Sequence, residues 1–259
     1  MPALIVASAL ESVIEGFGAA RGYVPLISNW SVPLGILIAT AITLKWVEGK
    51  EWSYVWLGKD ALASSALVRG TLWGLLTIAV PSAILIGTHE LTSVPSPAGS
   101  WWAAATLGFA NLLPAAFAEE LLLRGYVFAV LRESVGWRWT LIATSIVFGL
   151  LHVPNPGSDP QSIAIVMLAG FFLGSILLAT QSLYATVLAH FAWNWFMAAG
   201  LHTPVSGLKV LAPGYQVVDS GPDWLTGGSW GPEGGFAAAV AMFLVLIYLH
   251  ARPLRRMES

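Results

Sequence analysis

Residues 118–125 read A-E-E-L-L-L-R-G, placing Glu119, Glu120 and Arg124 inside a run otherwise apolar enough to span a membrane. A charge within a bilayer costs at least ~2.5 kcal/mol, so such residues are functional candidates by default. Glu120 and Arg124 stand at i and i+4 with the acid first, the favourable order for a pair on one helix face. Glu119 lies about 100° round the helix and meets only Leu122 and Leu123 at i+3 and i+4. One carboxylate has a partner on its own helix and the other has none. The second must find a group on another helix, contact water or hold a proton. A purely structural ion pair that pins helices together is the alternative for this stretch.

Working outward, the 259 residues are 56% hydrophobic and only 10% charged, with mean hydropathy +0.73. Soluble domains carry about 25% charge, so the deficit indicates a polytopic membrane protein. The net charge of −2 says nothing about partners, and nothing points to nucleic acid. Cysteine is absent, which removes thiol nucleophiles, thiolate zinc sites and disulfides. No cleavable signal peptide is expected, since the start lacks basic residues and Glu11 and Glu15 interrupt the apolar run.

The fold expected is all-α, a membrane bundle of about eight transmembrane helices at 3–20, 32–47, 70–87, 101–131, 139–152, 162–180, 183–200 and 236–250, the first spanning or interfacial. Residues 45–69 mix charge with Trp and Tyr as an interfacial segment would. Pro114 is expected to kink its helix. Gly70/Gly74 and Gly170/Gly174 are small-xxx-small pairs suited to close packing. Residues 201–235 form a Gly/Pro-rich loop holding Asp219, Asp223 and Glu233. The chain is read as one membrane domain in three parts: 1–100, a core at 101–200 and 201–259.

With the N-terminus inside, one side receives Lys45, Lys50, Lys59, Arg69, Arg132, Arg138, Arg252, Arg255 and Arg256; the other receives only Arg21 and Lys209. This asymmetry places both termini in the cytoplasm, across what is expected to be a prokaryotic cell membrane.

Two further clusters interrupt apolar helices: Phe148 to His152 (F-G-L-L-H) and His190 to Asn194 (H-F-A-W-N). At about 1.5 Å per residue, Glu119 lies roughly 18 Å from Leu131, His152 about 21 Å from Arg138 and His190 about 14 Å from Gln181. The three groups thus reach a similar depth, which a shared site requires. Outside these clusters, His89, His202 and His250 read as interfacial or loop residues, and Trp193 and Trp195 as lipid-facing or packing.

The ordered set E-E-x-x-x-R (Glu119, Glu120, Arg124), F-x-x-x-H (Phe148, His152) and H-x-x-x-N (His190, Asn194) resembles the CPBP family, which comprises type II CAAX prenyl proteases and related bacteriocin-processing or immunity (Abi) membrane proteins. The resemblance spans residues 115–194 and implies an intramembrane endopeptidase acting on a membrane-associated, CAAX-like or prenylated substrate. It implies that Glu119 activates the attacking water, that His152 orients it, and that His190 and Asn194 stabilise the oxyanion. Glu120 and Arg124 are the orienting pair. No cofactor is expected on this reading. A zinc-dependent protease using Glu119, His152 and His190 is an alternative. So are a proton-coupled transporter and a non-catalytic binding or immunity protein. No H-E-x-x-H occurs, and all four Asp (Asp60, Asp159, Asp219, Asp223) lie in loops or in the interfacial segment.

Overall fold

The computed structural model describes residues 29–251. The expected first helix at 3–20, with Glu11 and Glu15, lies outside the described residues, as do Arg21, Arg252, Arg255 and Arg256. Helix α1 (Ser31–Ile42) runs on as a π-helical stretch, Thr43–Glu48, and ends at Gly49, whose φ of 65° suits glycine. Two 3₁₀ turns, Trp52–Val55 and Lys59–Leu62, occupy the expected interfacial segment. Then follow α2 (Ser64–Gly87), strand β1 (Leu91–Pro95), α3 (Trp101–Arg124), α4 (Tyr126–Val135), α5 (Trp137–Leu151), α6 (Pro160–Thr180) and α7 (Leu183–Trp195). Helix α7 continues as a π-helical stretch, Phe196–Leu201. Strand β2 (Tyr215–Asp219), three short helical turns and α8 (Phe236–Ala251) complete the chain.

Among the described residues, four segments are long and apolar enough to cross a membrane: Ser31–Glu48, Ser64–Gly87, Trp101–Val135 and Pro160–Thr180; Trp137–Leu151 and Phe236–Ala251 are shorter apolar helices. Outward faces are apolar, as with Leu72, Leu76, Val80 and Ile84 on α2 and Val240, Phe243, Leu244 and Ile247 on α8. Spacing of three or four residues puts each set on one stripe, the surface a helix presents to lipid. The protein is a helical, multi-pass membrane protein.

Small residues set the packing. A Cβ at Gly70 or Gly74 would run into the backbone of Ala185 or Ala189, so α2 lies directly against α7 there. Gly170 and Gly174 likewise admit Ser145 and Leu141 of α5 against α6. Both glycine pairs therefore do what their spacing suggests. Around these crossings Ile78, Phe148, Phe172, Ile176, Trp193, Met197 and Met242 form one core, and Trp56, Phe128, Leu141, Leu177 and Leu183 a second.

The loops sort to two ends of the bundle. At one end, Lys50 pairs with Glu133, Trp56 donates to Gln181, and Ser182 Oγ donates to Ala61 O. At the other, β1 pairs antiparallel with β2, Asn155 donates to Ser206 O, and Gln161 donates to Trp224 O and Gly234 O. Alternation along the sequence predicts the same two sets of loops.

Two details differ from the sequence reading. The helix expected over 101–131 breaks at Gly125, where ψ is −123° and a Cβ would strike Leu121 O. Helix α3 itself runs through the buried Pro114. The short strands in the loops at 89–100 and 201–235 pair only with each other, so neither loop alone shows a hairpin pattern.

Candidate active site

Three helices deliver the polar groups. Helix α3 carries Glu119, Glu120 and Arg124, α5 ends at His152, and α7 carries His190 and Asn194; all six side chains are buried. Asp159, Ser182 and Ser100 cap the starts of α6, α7 and α3, fixing where these helices begin.

The Glu120–Arg124 pair forms as helical spacing predicts, with Nη1 donating to Oε1 at 3.3 Å and neither side chain exposed. Arg124 Nη2 also donates to Gly170 O at 3.0 Å, and the guanidinium lies 4.5 Å from the Phe148 ring centroid. Glycine at 170 thus admits α5 and leaves its carbonyl within reach of Arg124. The pair also orients a histidine: His190 Nδ1 donates to Glu120 Oε1 at 2.9 Å. His152 Nδ1 donates to Phe148 O at 2.8 Å. With both Nδ1 atoms engaged as donors, Nε2 is the lone-pair nitrogen of each neutral ring.

Both Nε2 atoms face Glu119. Its Oε2 lies 4.0 Å from His152 Nε2 and 3.9 Å from His190 Nε2, and makes no hydrogen bond to a described residue. The carboxylate without a partner on its own helix finds two imidazoles on two others. Those separations exceed a direct hydrogen bond and leave room for one water among the three groups, whose two O–H bonds can be donated to Glu119 and to one imidazole.

Tetrahedral zinc, with bonds of about 2.0–2.1 Å, would hold its ligand atoms roughly 3.3 Å apart. The separations at Glu119 are wider, and no group of three or more His, Cys, Asp or Glu among the described residues is arranged to hold a metal. As placed, Glu119 is set wider from His152 and His190 than two ligands of one zinc ion would be.

A cavity of about 30 Å³ adjoins the site. His152, His190 and Asn194 line one part of it, Phe148, Phe172 and Trp193 give apolar wall, and Ser206 and Glu233 complete it from the 201–235 loop. Glu233 was not separable in the sequence from the other loop acids; its one local signal is the glycine on either side of Pro232–Gly234. Trp193 is buried and packs on Phe172 rather than facing lipid. Of the other histidines, His89 is exposed, His250 bonds Leu246 O, and His202 is fully buried at the end of the π-helical stretch, bonded to Tyr215 O. His202 is thus a loop residue, as its sequence context suggests, but one that the β2 segment folds over and buries.

Residues 100–196 match the family model described as Rce1-like, type II CAAX prenyl endopeptidase. All six candidate residues fall within the match, so this segment is similar to the CAAX protease family, a family of proteases. No curated protein and no solved structure gives a significant match.

Proposed function

We propose that the protein is an intramembrane endopeptidase that hydrolyses a peptide bond of a membrane-associated substrate with a glutamate-activated water. The observation that carries this is Glu119 Oε2 set 3.9–4.0 Å from two imidazole Nε2 atoms in a buried site. A water held there attacks the scissile carbonyl carbon and gives a proton to Glu119. The C–N bond then breaks as that proton passes to the leaving amine, yielding a carboxylic acid and an amine, which exchange the remaining proton to become carboxylate and ammonium. A buried, low-dielectric setting makes carboxylate base chemistry and oxyanion donation more effective than in water. The full bundle is read as eight spans with both termini cytoplasmic in a prokaryotic cell membrane, and the substrate class as CAAX-like or lipidated. Profiling cleavage of a membrane-peptide library with wild type beside Glu119→Ala tests the activity; indistinguishable product patterns would end this reading.

His190 and Asn194 are assigned to the oxyanion. Because His190 spends its Nδ1 proton on Glu120, its Nε2 donates only in the imidazolium form, whereas the Asn194 amide donates at any pH. Asn194→Ala is expected to lower kcat by about 10²–10³ with little change in KM. A stable variant with near-normal kcat and weakened substrate binding would remove Asn194 from this role.

Hydrolysis is proposed to be metal-independent, since Glu119 and the His/Asn donors already fill the required roles. Activity should persist through exhaustive chelation. Loss with chelator and recovery with Zn²⁺ would restore the zinc alternative.

A further inference from the structure

Glu233 is a buried carboxylate that the proposed chemistry does not use. Its Oε2 accepts from Trp193 Nε1 at 2.8 Å, and its Oε1 accepts from the backbone N (2.5 Å) and Oγ (2.8 Å) of Ser206. All three donors are uncharged. One side chain thereby joins three pieces of chain: the loop just before α8, the loop just after the π-helical stretch, and α7 at the residue preceding Asn194. Beside it, Gly207 N donates to Trp230 O, Asn155 reaches Ser206 O, and Gln161 reaches Gly234 O. These polar ties close the loop end of the cavity that His152, His190 and Asn194 line.

Size turns this closure into a functional question. A cavity of about 30 Å³ holds one or two water molecules and no amino-acid residue. A peptide can reach the histidines through it only if a wall moves. Of the helical walls, α5 and α6 meet at Gly170 with backbone in direct contact, and α7 is held from behind by α2 at Gly70 and Gly74, so moving these helices forfeits extensive packing. The loop wall is held by the hydrogen bonds above and by Trp230 and Val205, both buried in the core, and Gly227, Gly228 and Gly231 within it adopt positive φ. It is the wall built from loop rather than from a continuous membrane helix, and its polar ties converge on Glu233.

We infer that Glu233 is a further positioning residue, the latch by which the loop at 202–235 closes over the cavity and holds α7 beside Asn194. The inference takes its meaning from the proteolytic reading, but its test needs no proteolysis. The protein has no cysteine, so one introduced thiol reports alone. Val166→Cys places it in the cavity wall, and Leu177→Cys places it in the other core as a control. Labelling by N-ethylmaleimide is followed in membranes with Glu233 intact and with Glu233→Gln, which keeps the volume but turns an amide NH₂ toward one of the donors.

Losing a hydrogen bond to a charged acceptor should raise labelling at position 166 at least about tenfold, with position 177 unchanged. An unchanged rate at 166 would overturn the latch. So would an equal rise at both positions, which would mean general loosening. An intact labelling response in a protein that cleaves nothing would count against the proteolytic reading alone.

Discussion

Glu119→Gln is expected to abolish peptide hydrolysis while leaving the protein as stable as wild type. The amide keeps the carboxylate's volume and can still accept a hydrogen bond, but it cannot take a proton from water. No direct hydrogen bond of Oε2 is broken, because it stands 3.9 Å or more from either imidazole and bonds no described residue. General-base catalysis typically contributes about 10²–10⁴-fold, and substitution here also disturbs the group that positions the water, so the loss should reach the upper end. The measurement is turnover of a cleaved library peptide alongside thermal unfolding in detergent. Residual activity above about a tenth of wild type would take the base role away from Glu119.

The elements most legible in the sequence are those where burial in lipid or against another helix leaves a local trace. The long apolar runs predict α1, α2, α3 and α6 closely, because a bilayer demands unbroken hydrogen-bonded backbone with apolar side chains outside. Gly70 and Gly74 announce the α2–α7 crossing for the same kind of reason: only a missing Cβ lets two backbones touch. What escapes is set by contacts between distant segments. Gly125 reads as one glycine among many, yet its backbone divides α3 from α4. Leu91–Pro95 becomes a strand only because Tyr215–Asp219 lies beside it, more than a hundred residues later.

The site shows the same division. Helical spacing alone pairs Glu120 with Arg124 and leaves Glu119 facing elsewhere, and depth along three helices allows the two histidines to be what it faces. The hydrogen bond from His190 to Glu120 could not be read that way, because it depends on how α7 is rotated against α3. Nor could the role of Glu233, an acid in a glycine-rich loop whose partners, Trp193 and Ser206, lie forty and twenty-seven residues away. Periodicity identifies which face of a helix is unusual, but not which loop folds down over it.

Glu120→Gln is expected to act on stability as well as on activity, in contrast to its neighbour. Glu120 Oε1 receives both Arg124 Nη1 and His190 Nδ1, so a neutral amide removes the only carboxylate, among the described residues, paired with a fully buried guanidinium. Arg124 would retain Gly170 O and the face of Phe148, neither of which neutralises its charge. Breaking one side of a buried pair costs about 3–5 kcal/mol, largely because the surviving charge stays buried and uncompensated. The pair is already imperfect, with Glu120 Oε2 and Arg124 Nε lacking hydrogen-bond partners among the described residues. Removing both charges, as in Glu120→Leu with Arg124→Met, should therefore recover most of the stability that Glu120→Gln loses, but none of the activity, since His190 would have nothing to orient it. Thermal unfolding of wild type, both single variants and the double variant in one detergent decides the matter. If Glu120→Gln unfolds together with Glu119→Gln, or if the double variant is the least stable of the set, the pair is not the buried electrostatic unit described above.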